Sequence, residues 1–289
     1  MKQLRYIIQA CIVYILLIFF AIIGIKFASN FGSFLARKIG PKLRAHRTAK
    51  QNIALAFPHF SQEQIDTTLT KMWDNLGRTV GEMAHIRSLH NKRFSRHVTI
   101  TGIEHLKILS ESKKSFFIGS AHLANWEIIP RAASEEGYSA GIIYRRANNP
   151  YVDRLINKLR HGSHIGLHAK GKDGARHIIR HIKNKEPVGL LIDQKMNDGI
   201  AIPFFGHQAM TAPAIAELAL KYHIPIVMAR CVRTGPVQFE VIIEPPLDID
   251  NKTVTDIMTD INQTLERWIK EYPEQWFWVH RRWPKEEYI

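Results

Sequence analysis

Residues 6–25 run for twenty positions without a charge, bounded by Arg5 and Lys26. A run of that length can cross bilayer hydrocarbon as a helix, so the rest of the chain must fold beside a membrane. A cleaved signal peptide would need a shorter apolar block followed by a small-x-small cleavage site, and neither is found. Two cations, Lys2 and Arg5, precede the run, whereas Lys26, Arg37, Lys38, Lys42, Arg44, Arg47 and Lys50 follow it. The excess of positive charge on that side predicts a single-pass membrane protein with its large C-terminal portion in the cytoplasm. The expected organisation is a transmembrane anchor over 1–25, a basic juxtamembrane segment over 26–50, and a cytoplasmic domain over 51–289.

Charge is concentrated near this anchor. The chain carries a formal net charge of +14, and no Asp or Glu occurs before Glu63. Phe27, Phe31, Phe34, Leu35 and Ile39 are interspersed with cations at helical spacing, as in a helix lying at the membrane interface. Basic side chains beside a span are drawn to anionic head groups. A basic protein could also bind nucleic acid, but no nucleic-acid motif accompanies this charge. The two cysteines, Cys11 in the apolar run and Cys231 in another, provide neither a disulfide framework nor a cysteine metal site.

Downstream, strand and helix patterns alternate. Ser61 and Gln64 form a capping-box pair, and Ile65, Leu69, Met72, Trp73, Leu76 and Val80 continue at helical spacing, which predicts a helix over about 62–85. Strands are expected at 116–121, 141–144, 188–193, 226–232 and 238–243. Helices are expected at 126–136, 151–161, 174–183 and 213–222, and an amphipathic C-terminal helix runs through Val254, Ile261, Leu265 and Trp268. The alternation implies an α/β fold with a mixed sheet flanked by helices. The segments 202–206 and 210–213 read as an apolar loop suited either to lining a hydrocarbon pocket or to capping the core.

The strand at 116–121 ends at His122, with Glu127 five positions on. On a continuous helix these two would sit roughly 140° apart, so they can meet only if the chain bends between them. With such a bend, the imidazole and carboxylate stand at the carboxyl end of a sheet strand, where open α/β folds place their sites. A carboxylate on one ring nitrogen makes the other a better proton acceptor. A plain strand-end histidine and a solvated glutamate are the simpler alternative. Ser120 is a poor nucleophile candidate, because i, i+2 strand neighbours point together without reaching each other well. Tyr144-Arg145-Arg146 followed by Asn149-Pro150, with Arg160 one helix later, can present forked donors to phosphate or carboxylate. Gly171 to Arg176 opens a helix without Walker spacing, and Asp193-Gln194 directly follows a buried-strand pattern. His161, His164, His168, His177 and His181 lack a convincing third ligand, and no metal or cofactor is expected.

Taken in order, the His122/Glu127 block, Tyr144-Arg145 with Asn149-Pro150, Asp193-Gln194, Pro203-Phe204-Phe205-Gly206 with Thr211, and Tyr272 to Arg282 resemble the bacterial lipid A biosynthesis acyltransferases that act on Kdo-modified lipid IVA. Asn52, Phe57-Pro58 and Leu76-Gly77-Arg78 extend the resemblance upstream. It implies a glycerolipid-acyltransferase-like fold and transfer of a fatty acyl chain from acyl carrier protein to a hydroxyl of a hydroxyacyl chain on a lipid A precursor. It makes His122 the general base and Glu127 its partner. Asn125, Trp126, Tyr144, Arg145, Asn149, Arg160, Arg176, Asp193 and Gln194 become substrate-binding candidates. Arg146 stands where many relatives carry proline, which leaves open whether Arg145 or Arg146 faces the substrate. Other membrane acceptors, a phospholipid or a glycosylated phosphoinositide, remain alternatives, as does a non-catalytic polyanion-binding module.

Overall fold

The computed structural model describes residues 2–87, 96–138, 140–160 and 165–288. His161 and His164, considered above as metal ligands, and the expected end of the helix at 161 lie outside them. The chain begins with α1 (Lys2–Ile23), α2 (Ile25–Ile39), α3 (Arg44–Ala56) and α4 (Gln62–Met83). Gly24, with φ of 75°, provides the break between α1 and α2. Helix α4 starts at the expected capping box: Gln64 N donates to Ser61 Oγ at 3.2 Å, and Ser61 N donates to Gln64 Oε1 at 2.7 Å.

Small residues hold α2 against α4. A Cβ added at Gly77 would lie 2.2 Å from Gly32 O, and one at Gly81 would lie 2.1 Å from Ala28 O. Backbones this close leave Phe27, Phe34 and Ile39 on the outer side of α2, where they are exposed. The same interface contains a buried ionic network. Arg233 donates to both oxygens of Glu82 at 2.6 and 3.0 Å, Ser29 donates to Oε1 at 2.8 Å, and Asn125 Nδ2 donates to Oε2 at 2.9 Å.

The central sheet then forms from β1 (Val98–Thr101), α5 (Ile103–Glu111), β2 (Phe117–Ser120), α6 (Ile128–Glu135), β3 (Ala140–Tyr144), α7 (Pro150–Arg160), β4 (Ile165–Ala169), α8 (Lys172–Lys183) and β5 (Val188–Leu191). A hairpin of β6 (Ile200–Phe204) and β7 (His207–Thr211) follows, then α9 (Ala214–Tyr222), β8 (Ile226–Gly235), β9 (Gln238–Pro246) and α10 (Val254–Glu271). The seven strands lie in the order β1-β9-β8-β2-β5-β3-β4, and β8 with β9 is the antiparallel pair. The mixed α/β architecture expected from the alternation is therefore present.

Several elements depart from the expectation, helices α3 and α5 among them. Strands β1 and β4 extend the sheet at both edges, and residues 200–211 form the β6–β7 hairpin rather than an apolar loop. Phe204 is fully buried there, beneath Trp276 and Trp283 at ring distances of 5.9 and 5.7 Å, so this segment seals the core. Arg282 is also buried, donating to Thr211 Oγ1 at 2.8 Å.

Candidate active site

Register brings the site together. Strands β2 and β5 are parallel neighbours with Ser120 opposite Leu191, so two residues beyond each strand end His122 stands beside Asp193. His122 Nδ1 lies 2.8 Å from Asp193 Oδ1, and the His122 backbone N–H donates to Asp193 Oδ2 at 2.9 Å. Trp276 Nε1 also donates to Oδ2, at 2.8 Å. Burial alone would raise the Asp193 carboxyl, but the imidazole beside it and these three N–H donors hold it below the ordinary carboxylate range. A carboxylate so fixed keeps the proton on Nδ1 and leaves Nε2 as acceptor, approached at 3.4 Å by Gln194 Nε2.

The chain does bend after His122. Ala124 adopts φ of 48°, a left-handed conformation unusual for alanine, and the turn is pinned by Ala124 N to Gln275 O at 2.9 Å and Phe277 N to His122 O at 3.1 Å. The bend does not bring Glu127 to the imidazole. Glu127 is instead clamped by Arg160, whose Nε donates to Oε2 at 2.8 Å and whose Nη2 donates to Oε1. Trp126 Nε1 adds a third donor to Glu127 at 3.0 Å. Burial would lower the Arg160 guanidinium, yet the Glu127 charge raises it above its usual value. The imidazole's partner is thus Asp193 and not Glu127. The physical reason is that adjacent parallel strands align His122 with Asp193, whereas the turn aims Glu127 at α7.

A cavity of about 870 Å³, its mouth included, lies between α6 and the face of β2, β5 and β3. Ser120, Trp126, Glu127, Tyr144 and Arg160 form its polar wall. Ile118, Ile129, Ile142, Leu190 and Leu191 line its apolar part. Trp126 joins the two halves of the site: its ring lies on the cavity and edge-on to His122, at 4.9 Å between centroids. A much smaller apolar gap lies beyond Ile118, Ile129 and Ala133, which border both spaces. Ser120 Oγ is buried without a hydrogen-bond partner, so no base stands ready to activate it.

Several sequence candidates fall elsewhere. Asn125 is buried and spends its amide on Glu82. Asn149 caps α7, accepting from Tyr151 N at 3.1 Å, and donates to Tyr6 O at 2.8 Å. Asn149 is taken up by these contacts, whereas Asn125 Oδ1 is buried without a hydrogen-bond partner, and neither residue lines the cavity. Arg176 is exposed on α8, paired with Asp173 at 3.4 Å, and is absent from the cavity wall. Tyr144 does line the cavity, and its hydroxyl accepts from Asn157 at 2.6 Å. Arg145 is exposed, close enough to His280 that, after burial and the positive field of His122, it helps hold that imidazole below its ordinary value. Among the described residues no group of three His, Cys, Asp or Glu side chains is placed to hold a metal ion. His168, His181 and Glu186 instead form a hydrogen-bonded chain, with 2.9 Å between the two Nε2 atoms and 2.6 Å from His181 Nδ1 to Glu186.

A family model described as bacterial lipid A biosynthesis acyltransferase matches residues 1–285. A lipid A biosynthesis acyltransferase of Haemophilus influenzae is 24% identical over 83% of this chain and 76% of its own length. A lipid A biosynthesis lauroyltransferase of Escherichia coli is 25% identical over 83% and 79%, and a palmitoleoyltransferase of the same organism is 22% identical over 86% and 83%. Among solved structures, a 1-acyl-sn-glycerophosphate acyltransferase of Thermotoga maritima is 12% identical, with a TM-score of 0.40 over 85% of this chain and 97% of that one.

Proposed function

The chain belongs to the bacterial lipid A biosynthesis acyltransferases, and from that premise we propose that it moves a fatty acyl group from an acyl-carrier-protein thioester to a hydroxyl of a hydroxyacyl chain on a Kdo-modified lipid A precursor. The reading places α1 in the inner membrane and the catalytic domain on its cytoplasmic face. What carries it is the His122–Asp193 contact of 2.8 Å, which leaves Nε2 as the acceptor nitrogen, with Trp126 between the imidazole and a largely apolar cavity.

A secondary alcohol does not ionise near neutral pH, so attack on a thioester requires its proton to leave as the bond forms. The hydroxyl oxygen attacks the thioester carbonyl carbon while its proton passes to His122 Nε2. The C–S bond then breaks, and the same proton goes to the departing thiolate. A positioned histidine contributes about 10²- to 10⁴-fold in such a step. Trp126 sets the carbonyl end of the donor beside the imidazole, and the hydrocarbon fills the cavity toward Ile129 and Leu191. Glu127 acts on Arg160, holding the guanidinium at the cavity mouth for an oxygen of the donor or acceptor. The unpartnered Ser120 hydroxyl favours direct transfer over an acyl-enzyme. The basic surface around Arg145 and Arg146 suits an acidic carrier protein through long-range attraction.

The test is an assay of detergent-purified protein with a series of acyl-carrier donors and lipid IVA-type or phospholipid acceptors, read by product mass. One added acyl chain on the lipid A precursor is expected. Transfer confined to phospholipid, or no transfer to any acceptor, overturns the proposal.

A further inference from the structure

Helix α1 is docked against the domain along most of its length. Near its start, Asn149 Nδ2 donates to Tyr6 O at 2.8 Å and to Gln9 Oε1 at 3.3 Å. Near its end, His85 Nε2 lies 2.9 Å from Phe20 O, and Leu17 and Phe20 pack with Leu155 and Leu159 of α7. Helix α7 therefore runs beside α1 from Tyr6 to Phe20.

This arrangement conflicts with a perpendicular span. Were Ile23 at the cytoplasmic interface of a spanning helix, Tyr6 would lie about 26 Å deeper, at 1.5 Å per residue. Asn149 and the first turns of α7 would be carried to that depth, within a hydrocarbon core about 30 Å thick. Helix α7 bears Asp153, Arg154 and Lys158, and Arg154 and Lys158 are exposed. Charged side chains of that kind are disfavoured in hydrocarbon. A bilayer surface satisfies both sets of groups. Ile8, Ile12, Ile15 and Ile22 of α1 and Phe27 and Phe34 of α2 are exposed and enter the acyl layer. Lys2, Arg5, Arg154 and Lys158, exposed near the same helices, reach phosphates at the head-group level.

We propose that α1 lies within one leaflet instead of crossing the bilayer, so that its N-terminus and the catalytic domain occupy the same side of the membrane. On this proposal the chain would not have the single-pass topology expected from sequence. Hydropathy alone measures the length of an apolar run and is blind to a neighbouring charged helix. The surface offered to lipid is the outer side of α1 and α2, and its occupant is one anionic leaflet.

The test uses the full chain in sealed membrane vesicles whose catalytic domain faces out. Cys11→Ser removes the exposed native thiol. Cys231 is buried, and burial pushes its thiol up to about 12, which leaves it inert to maleimide. Single cysteines are introduced by Gln3→Cys and, as an outward-facing control, Thr255→Cys at an exposed position of α10. A membrane-impermeant maleimide is expected to label both positions in intact vesicles. Labelling of position 255 with position 3 reactive only after detergent opens the vesicle overturns the proposal. The readout requires no acyl transfer, so it is independent of the proposed reaction.

Discussion

Replacing Asp193 with asparagine keeps the shape of the side chain and removes its second acceptor oxygen. In the parent, three N–H groups converge on two carboxylate oxygens: the His122 ring at 2.8 Å, the His122 backbone at 2.9 Å and Trp276 at 2.8 Å. An amide has one acceptor oxygen. If that oxygen keeps the backbone and Trp276 donors, the amide nitrogen faces His122 Nδ1, and the ring must carry its proton on Nε2, the atom required to accept one. The whole general-base contribution is then at risk, about 10²- to 10⁴-fold, or roughly 3–5 kcal/mol of transition-state stabilisation. Asp193→Asn is therefore expected to lower kcat by that factor with little change in KM for the donor, measured alongside thermal unfolding to verify the fold. Glu127→Gln supplies the contrast. It weakens the Arg160 clamp and leaves the His122 tautomer untouched, so KM should rise more than kcat falls. The reasoning fails if Asp193→Asn turns over within about threefold of the parent, or if Glu127→Gln alone reproduces the kcat loss with KM unchanged.

Ile129→Ala thins the wall between the two cavities, and longer acyl donors should gain in kcat/KM relative to the parent; an unchanged chain-length profile would show that the cavities do not set it. Glu82→Ala strands the buried Arg233 guanidinium, and a loss of about 3–5 kcal/mol is expected in denaturant unfolding, the usual cost of breaking one side of a buried pair. A change below about 1 kcal/mol would mean the network is not worth what its geometry implies.

The parts of the fold visible in the sequence were those written in local periodicity. The capping box at Ser61 and Gln64, the amphipathic pattern of α10 and the apolar strands β2 and β5 depend on residues a few positions apart. Strand β4 is hard to read locally because Gly166 and His168 interrupt the apolar Ile165, Leu167 and Ala169. The site divided in the same way. His122 was marked by its place at a strand end, and Asp193 by a similar place, but their pairing depends on β2 and β5 being neighbours, a relation 71 residues apart in sequence. The short His122-to-Glu127 spacing suggested a partnership that the turn at Ala124 directs elsewhere. Arg160 was recognisable as a candidate cation, although nothing local indicated that it would clamp Glu127. Asn149 lay beside two arginines and read as part of a binding turn, yet its partners are in α1, about 140 residues earlier.

The central claim is that the imidazole of residue 122 takes the acceptor's proton in a single direct step. A rapid-quench single-turnover measurement with saturating acyl donor and lipid acceptor tests it in the parent and in His122→Ala. The expected result is a chemical step slowed by about 10²- to 10⁴-fold in the variant, with donor binding retained and no acyl-enzyme at any time in the parent. An unchanged single-turnover rate in His122→Ala, or an acyl group trapped covalently on the parent protein, would contradict it.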